Sequence, residues 1–167
     1  PVALSGGSGG NITIHGGTVT ASSRQGTAIG GGNGTEYAPS SGGDGGIITV
    51  LGGTVNATSH TGTAIGGGKG RTTGGNGGTI VISGGAVNAK GAGIAIVGGG
   101  AGATDQTAGQ GAVVQMSGSA QLVTDRYGSQ AARMDIGGSA AGKTTVKDSA
   151  VIKLKNNGTI QGIASAD

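Results

Sequence analysis

The sequence predicts an all-β fold, a right-handed parallel β-helix (solenoid) of about five coils, with three short strands per coil and Gly-rich corners and loops. Three observations predict it: a self-repeating motif, short β-branched triplets set between glycines, and a composition unable to build an ordinary core. Glycine supplies 43 of 167 residues, Phe, Trp and Cys are absent, and Tyr37 and Tyr127 are the only aromatic residues. A globular core draws on large aromatic and branched side chains, each contributing roughly 1.5–3 kcal/mol on burial. Here that role falls to Ile, Val, Leu and Met, spaced at intervals. Collagen is excluded, since it needs glycine at every third position and far more than two prolines. Triplets such as Ile12-Thr13-Ile14, which alternate with the period of a strand, argue against a flexible Gly/Ser linker; a flat repeat sheet and a disordered stalk are the alternative readings.

The repeat defines each element in turn. Ile12-Thr13-Ile14-His15-Gly16-Gly17-Thr18-Val19-Thr20-Ala21 returns 36 residues later as Ile48-Thr49-Val50-Leu51-Gly52-Gly53-Thr54-Val55-Asn56-Ala57. After a further 32 it returns as Ile80-Val81-Ile82-Ser83-Gly84-Gly85-Ala86-Val87-Asn88-Ala89. Weaker copies begin at Val114 and Thr144. The first strand is therefore of the Ile-Thr-Ile type, and the second, Thr-Val-Thr-Ala, follows a Gly-Gly corner. The third is Thr27-Ala28-Ile29-Gly30-Gly31-Gly32, matched by Thr63-Ala64-Ile65-Gly66-Gly67-Gly68, by Ile96-Val97-Gly98-Gly99-Gly100 and by an eroded Ile136-Gly137-Gly138. Such short strands gain most by stacking in register on their own equivalents in the next coil. The expected inward columns are Ile12/Ile48/Ile80/Val114, Ile14/Val50/Ile82/Met116/Val146, Val19/Val55/Val87 and Ile29/Ile65. The Gly-Gly-Gly blocks mark the sharpest corner or a close approach between coils, and Asn33–Gly46 and Lys69–Gly78 are expected to protrude as variable loops.

One domain spans residues 1–167, with three clear repeats over 9–100 and eroded repeats over 101–167, where the Lys-bearing last coil serves as a C-terminal cap. Because the chain starts at Pro1 without a Met, it reads as a processed or excised part of a longer parent with flanking domains. Ten basic and seven acidic residues leave a formal net charge of +3. That excess is too thin for nucleic acid, which calls for a dense basic stripe with stacking aromatics. No apolar run is long enough to span a membrane.

The Ile-Thr-Ile-x-Gly-Gly-Thr-Val-x-Ala … Ala-Ile-Gly-Gly-Gly unit resembles repeats in large surface proteins of Firmicutes-type bacteria. It is also similar to the right-handed β-helix carbohydrate-binding proteins of clostridia. The resemblance covers Gly9–Gly100 best. It implies a parallel β-helix at the cell surface, and the clostridial relatives imply binding of acidic plant polysaccharide with calcium in acidic loops. Six Asp and one Glu, none clustered, depart from that pattern, so neither a metal nor a cofactor is expected here.

No catalytic constellation emerges. A glycosidase needs two carboxyl groups roughly 5–9.5 Å apart, and no repeat position carries a carboxylate in two successive coils. Asp125-Arg126 reads as a solvated turn. His15 and His60 occupy different repeat positions and lack further metal ligands. Gly66-Gly67-Gly68-Lys69-Gly70 lacks the spacing and the helix of a phosphate loop. Binding features remain. Arg24 and His60 are repeat equivalents, and Lys90 lies near the same corner, a small basic column suited to carboxylate or sulfate groups of a glycan. Tyr37 and Tyr127 alone could stack on a sugar. Outward Thr positions align in pairs, Thr18 with Thr54, Thr13 with Thr49 and Thr27 with Thr63, as an ice-binding face requires, but the first two ladders break at Ala86 and Val81.

The expected function is a non-enzymatic extracellular or cell-surface module that binds polysaccharide or a host or cell-wall glycan, or mediates adhesion. Arg24, His60, Lys90, Tyr37, Thr18 and Thr54 are the candidate ligand residues. The alternatives are a structural spacer or stalk, end-to-end self-association of solenoids, and ice binding.

Overall fold

The computed structural model describes residues 4–104, 107–127, 134–139, 143–155, 160 and 163–165. Among them every strand pair is parallel, and each strand bonds to its repeat equivalent rather than to its sequence neighbour. The first sheet stacks β1 (Asn11–Ile14), β4 (Ile47–Val50), β7 (Thr79–Ile82), β10 (Val113–Met116), β13 (Lys143–Val146) and β15 (Ile163–Ser165). The second stacks β2 (Thr18–Ser23), β5 (Thr54–Ser59), β8 (Ala86–Gly91), β11 (Gln121–Arg126) and β14 (Val151–Leu154). The third stacks β3 (Ile29–Gly30), β6 (Ile65–Gly66), β9 (Ala95–Gly98) and β12 (Met134–Gly137). The chain is thus a parallel β-solenoid of three sheets. Four coils carry all three strands, and a less complete fifth holds β13, β14 and a bridge from Ile160 to Ile136.

Period-2 alternation explains the core. Ile48, Ile80 and Val114 stack inward, as do Val50, Ile82 and Met116, and all six are at most 2% exposed. Ile12, on β1 at the edge of the first sheet, is 38% exposed, since among the described residues no strand pairs with its outer side. The column Val19/Val55/Val87 continues through Leu122 and Ile152. Ile29/Ile65 continues through Val97 and Ile136.

The weaker copies keep this plan with a longer corner. The Gly-Gly corner before β2, β5 and β8 becomes the turn Ser117–Ala120, closed by the Ala120 N–H donating to the Ser117 carbonyl at 3.3 Å. One added residue moves Gln121 over Ala86 and Leu122 over Val87, so the alternation survives. The next coil repeats the device with the Ala150 N–H and the Lys147 carbonyl, 3.2 Å apart, and Asp148 adopts φ 58°.

The loops differ from expectation in one respect. Only their middles protrude. Each third strand continues as an outgoing glycine leg, and the far end of each loop comes back as a second glycine leg packed beside it. A zigzag of amides joins the two columns: the Gly32 N–H donates to the Gly7 carbonyl, Gly43 to Gly32, Gly68 to Gly43, Gly75 to Gly68, Gly100 to Gly75 and Gly109 to Gly100, all at 2.8–2.9 Å. Along each column the amides also bond coil to coil, as from Gly67 to the Gly98 carbonyl (2.9 Å) and from Gly45 to the Asn76 carbonyl (2.8 Å). The legs lie so close that a β-carbon on Gly75 would sit 1.9 Å from the Gly43 carbonyl oxygen. Where strand becomes leg, Gly30, Gly66 and Gly98 hold φ near 138–139°, which side chains disfavour.

This contact yields a direct comparison. Gly75→Ala is expected to cost at least about 3 kcal/mol, the upper range for overpacking, since only backbone can give way. Gly16→Ala, with nothing within 4 Å of the added carbon, is expected to stay within about 0.5 kcal/mol of the parent. Thermal or chemical denaturation of the two variants measures the difference.

Candidate functional site

The inward set of the second sheet leaves alternate residues facing out, and strict register sorts them into columns. One column runs Thr18/Thr54/Ala86/Gln121/Val151, the next Thr20/Asn56/Asn88/Val123/Lys153, and the third Ser22/Thr58/Lys90/Asp125. Lys155 follows β14, its N–H donating to the Thr124 carbonyl at 3.1 Å, which places it over Asp125. Asn88 Nδ2 donates to Asn56 Oδ1 at 2.9 Å, an amide ladder running from coil to coil.

Between that ladder and the third column lies an open groove of about 210 Å³ lined by Asn56, Thr58, Asn88, Lys90, Asp125 and Lys155, among others. Lys90 Nζ is 3.5 Å and Lys155 Nζ 4.0 Å from Asp125 Oδ2, and the two lysine side chains are 43% and 60% exposed. These contacts are longer than the roughly 2.7–2.9 Å of a strong charge-assisted bond, and solvent screens them further. Both ammonium groups can therefore turn to an incoming anion. Tyr127 stands beside Lys90. Its ring packs against His60 with centroids 4.2 Å apart, and Lys90 Nζ lies 5.5 Å from its centroid. A tyrosine here gives the lysine a polarisable face as well as a carboxylate.

The sequence-derived candidates distribute as follows. His60 follows the Ser23/Ser59 pair and its N–H donates to the Ser23 carbonyl at 3.0 Å, so it stands one coil from exposed Arg24. Lys90 pairs with Thr58, two positions before His60, and so belongs to the neighbouring column. Past Lys90 the third coil departs from that register, the Ala92 N–H donating to the Gly62 carbonyl at 3.3 Å, and the Tyr127 ring packs against His60 instead. Thr18 and Thr54 are paired and outward, away from the groove. Tyr37 lies in the first loop, 94% exposed. Thr27 and Thr63 are not an outward ladder. Thr63 is 2% exposed, and the two hydroxyls donate to the Gly67 and Gly99 carbonyls of the next coil's leg.

A buried polar group escaped the sequence reading. Thr124 and Arg126 occupy inward positions that are Ala89 and Gly91 one coil earlier, and Asp135 stands where Ile96 stood. Thr124 Oγ1 donates to Asp135 Oδ2 at 2.6 Å, and Arg126 Nη2 lies 3.6 Å from Asp135 Oδ1. Asp135 is fully buried. Asp125-Arg126 is therefore no solvated turn: Asp125 faces the groove and Arg126 faces the core. Repeat alignment held the signal, because three inward positions turn polar within a single coil.

Among the described residues no group of three or more His, Cys, Asp or Glu is placed to hold a metal ion, and no helix is long and apolar enough to cross a membrane. The chain matches no protein-family model, no curated protein and no solved structure. Of what the motif's resemblance implied, the parallel β-solenoid is the part that the structure bears out.

The triad makes a sharp stability test. Asp135→Ala leaves the Arg126 charge facing the core and is expected to cost about 3 kcal/mol, the lower end for a broken buried pair because Arg126 keeps some solvent access. Restoring the pattern of the earlier coils with Thr124→Ala, Arg126→Ser and Asp135→Ile together is expected to be neutral or stabilising. Denaturation of the single and triple variants separates the two outcomes.

Proposed function

We propose that this chain is a non-enzymatic extracellular module that binds an acidic polysaccharide, or mediates adhesion through one, across the outer face of its second sheet. The observation that carries the reading is the groove in which the Asn56–Asn88 ladder lies beside Lys90 and Lys155. Stacked amides offer donors and acceptors to sugar hydroxyls at the coil spacing of about 4.8 Å. The two lysines share one carboxylate at 3.5 and 4.0 Å, so a ligand carboxylate or sulfate can recruit them without opening the fold. The groove is open and runs across several coils, which suits a polymer better than an isolated small molecule. Asp125 is tied to lysine and Asp135 is buried among Thr124 and Arg126. Both placements support a binding role over acid–base chemistry.

A spacer or stalk is the second reading. The interlocked glycine legs favour it, since they brace every coil against its neighbours and make the solenoid a stiff rod. Ice binding draws less support: one Thr pair is turned to the core, and the outward ladders end after two coils.

Retention of the purified chain on insoluble acidic and neutral polysaccharides decides between the readings. Selective retention on the acidic polymer is expected, falling about tenfold or more in Lys90→Ala/Lys155→Ala, since each charged contact contributes roughly 1.5 kcal/mol or more. Retention should also fall steeply as salt approaches about 1 M, where the screening length is about 3 Å. Equal retention on the neutral polymer would remove the charge-based reading, and no retention on either would leave the spacer.

A further inference from the structure

The loops that leave the first two outgoing legs are tied to each other away from the second sheet's groove. The Gly34 N–H donates to the Lys69 carbonyl (2.9 Å), and the Lys69 N–H donates to Asn33 Oδ1 (2.9 Å). Arg71 Nη1 donates to the Glu36 carbonyl (2.8 Å), and the Arg71 N–H to Ser40 Oγ (3.3 Å). These bonds hold open a cleft of about 230 Å³ lined by Asn33, Thr35, Glu36, Lys69 and Arg71, among others. Backbone groups and the Asn33, Ser40 and Arg71 side chains together fix the walls. Lys69 Nζ has no partner among the described residues, and Arg71 commits one guanidinium nitrogen to a neutral carbonyl. The cleft lining thus carries two cations and one carboxylate. Next to Glu36 in the chain stands Tyr37, whose ring is 94% exposed. An aromatic ring left in water at a loop tip is an unspent apolar surface with a polar end, the combination that lies flat against a pyranose face.

We propose that this cleft is a second binding site, for a single anionic saccharide unit, with Lys69 and Arg71 holding its carboxylate or sulfate and Tyr37 covering one face of the ring. The site is separate in residues from the groove on the second sheet and does not rest on the function read from it. Lys69 supplies a mobile point charge. Arg71, held by Glu36 and Ser40, supplies the oriented donors that a planar or tetrahedral oxyanion accepts in pairs.

Backbone amide shifts of the full chain, titrated in turn with glucuronic acid, a sulfated glucose, plain glucose and sodium sulfate, test this. Saturable shifts at Gly34, Glu36, Lys69, Gly70 and Arg71 are expected with the two anionic sugars and not with glucose or the inorganic salt. Lys69→Gln, a side chain that holds nothing in place, is expected to weaken the anionic sugars about tenfold, the worth of one charge-assisted contact. Tyr37→Ala should weaken them too, and Lys90→Ala/Lys155→Ala should leave these shifts unchanged. No saturable shift at those amides, equal response to plain glucose, an equal response to sodium sulfate, or a Lys69→Gln chain that binds as before would each overturn the proposal.

Discussion

Everything in this molecule depends on glycine backbones lying against one another. The outgoing and returning legs at the third corner approach to a distance at which a single β-carbon would collide with a carbonyl oxygen, 1.9 Å away at Gly75 and 1.7 Å at Gly109. That proximity lets each leg bond to the other column as well as along its own. The chain gives up aromatic side chains and gains a dense array of backbone hydrogen bonds in return. Such bonds contribute roughly 1 kcal/mol each net, so many are needed. Forty-three glycines among 167 residues reflect that requirement.

The legs also govern what the surface can do. With the third corner locked, the loops gain freedom only in their middles, and the three sheets keep in-register stacking. In-register stacking turns a side chain's chemistry into a column: amide on amide at Asn56 and Asn88, lysine over carboxylate at Lys90, Asp125 and Lys155. A groove arises because those columns sit side by side on a flat sheet, not because any segment folds specially to make it. In the fourth coil three inward positions turn polar as well. Thr124, Arg126 and Asp135 substitute for small or apolar residues and compensate for one another.

Much of this was legible in the residues themselves. Repeats with Ile-x-Ile and x-Val-x-Ala runs specify three sheets and the inward columns, because a register slip of one residue would turn every Ile and Val to solvent. The glycine triplets marked a close approach between coils, as found. What lay beyond reading was the partner of each triplet. Gly42-Gly43 and Gly74-Gly75 look like loop residues in sequence and become leg residues only through contacts across the coil. The site was partly legible. Lys90 was singled out near the Arg24/His60 corner, yet its column depends on a four-residue shortening between repeats whose position only the register reveals. Asp125 and Lys155 come from eroded copies that pair with it through β11 and β14. Thr27 and Thr63 looked outward because Thr favours exposed strands, whereas a glycine leg with spare carbonyls draws their hydroxyls inward.

The central functional claim is that an acidic polymer lies in the groove between the amide ladder and the lysine column. Amine-reactive footprinting of the full chain, with and without a soluble acidic polysaccharide, addresses it residue by residue. The account predicts that Lys90 and Lys155 become protected from modification while Lys147, exposed beyond β13, reacts at an unchanged rate. Bound polymer that leaves Lys90 and Lys155 as reactive as before would contradict it.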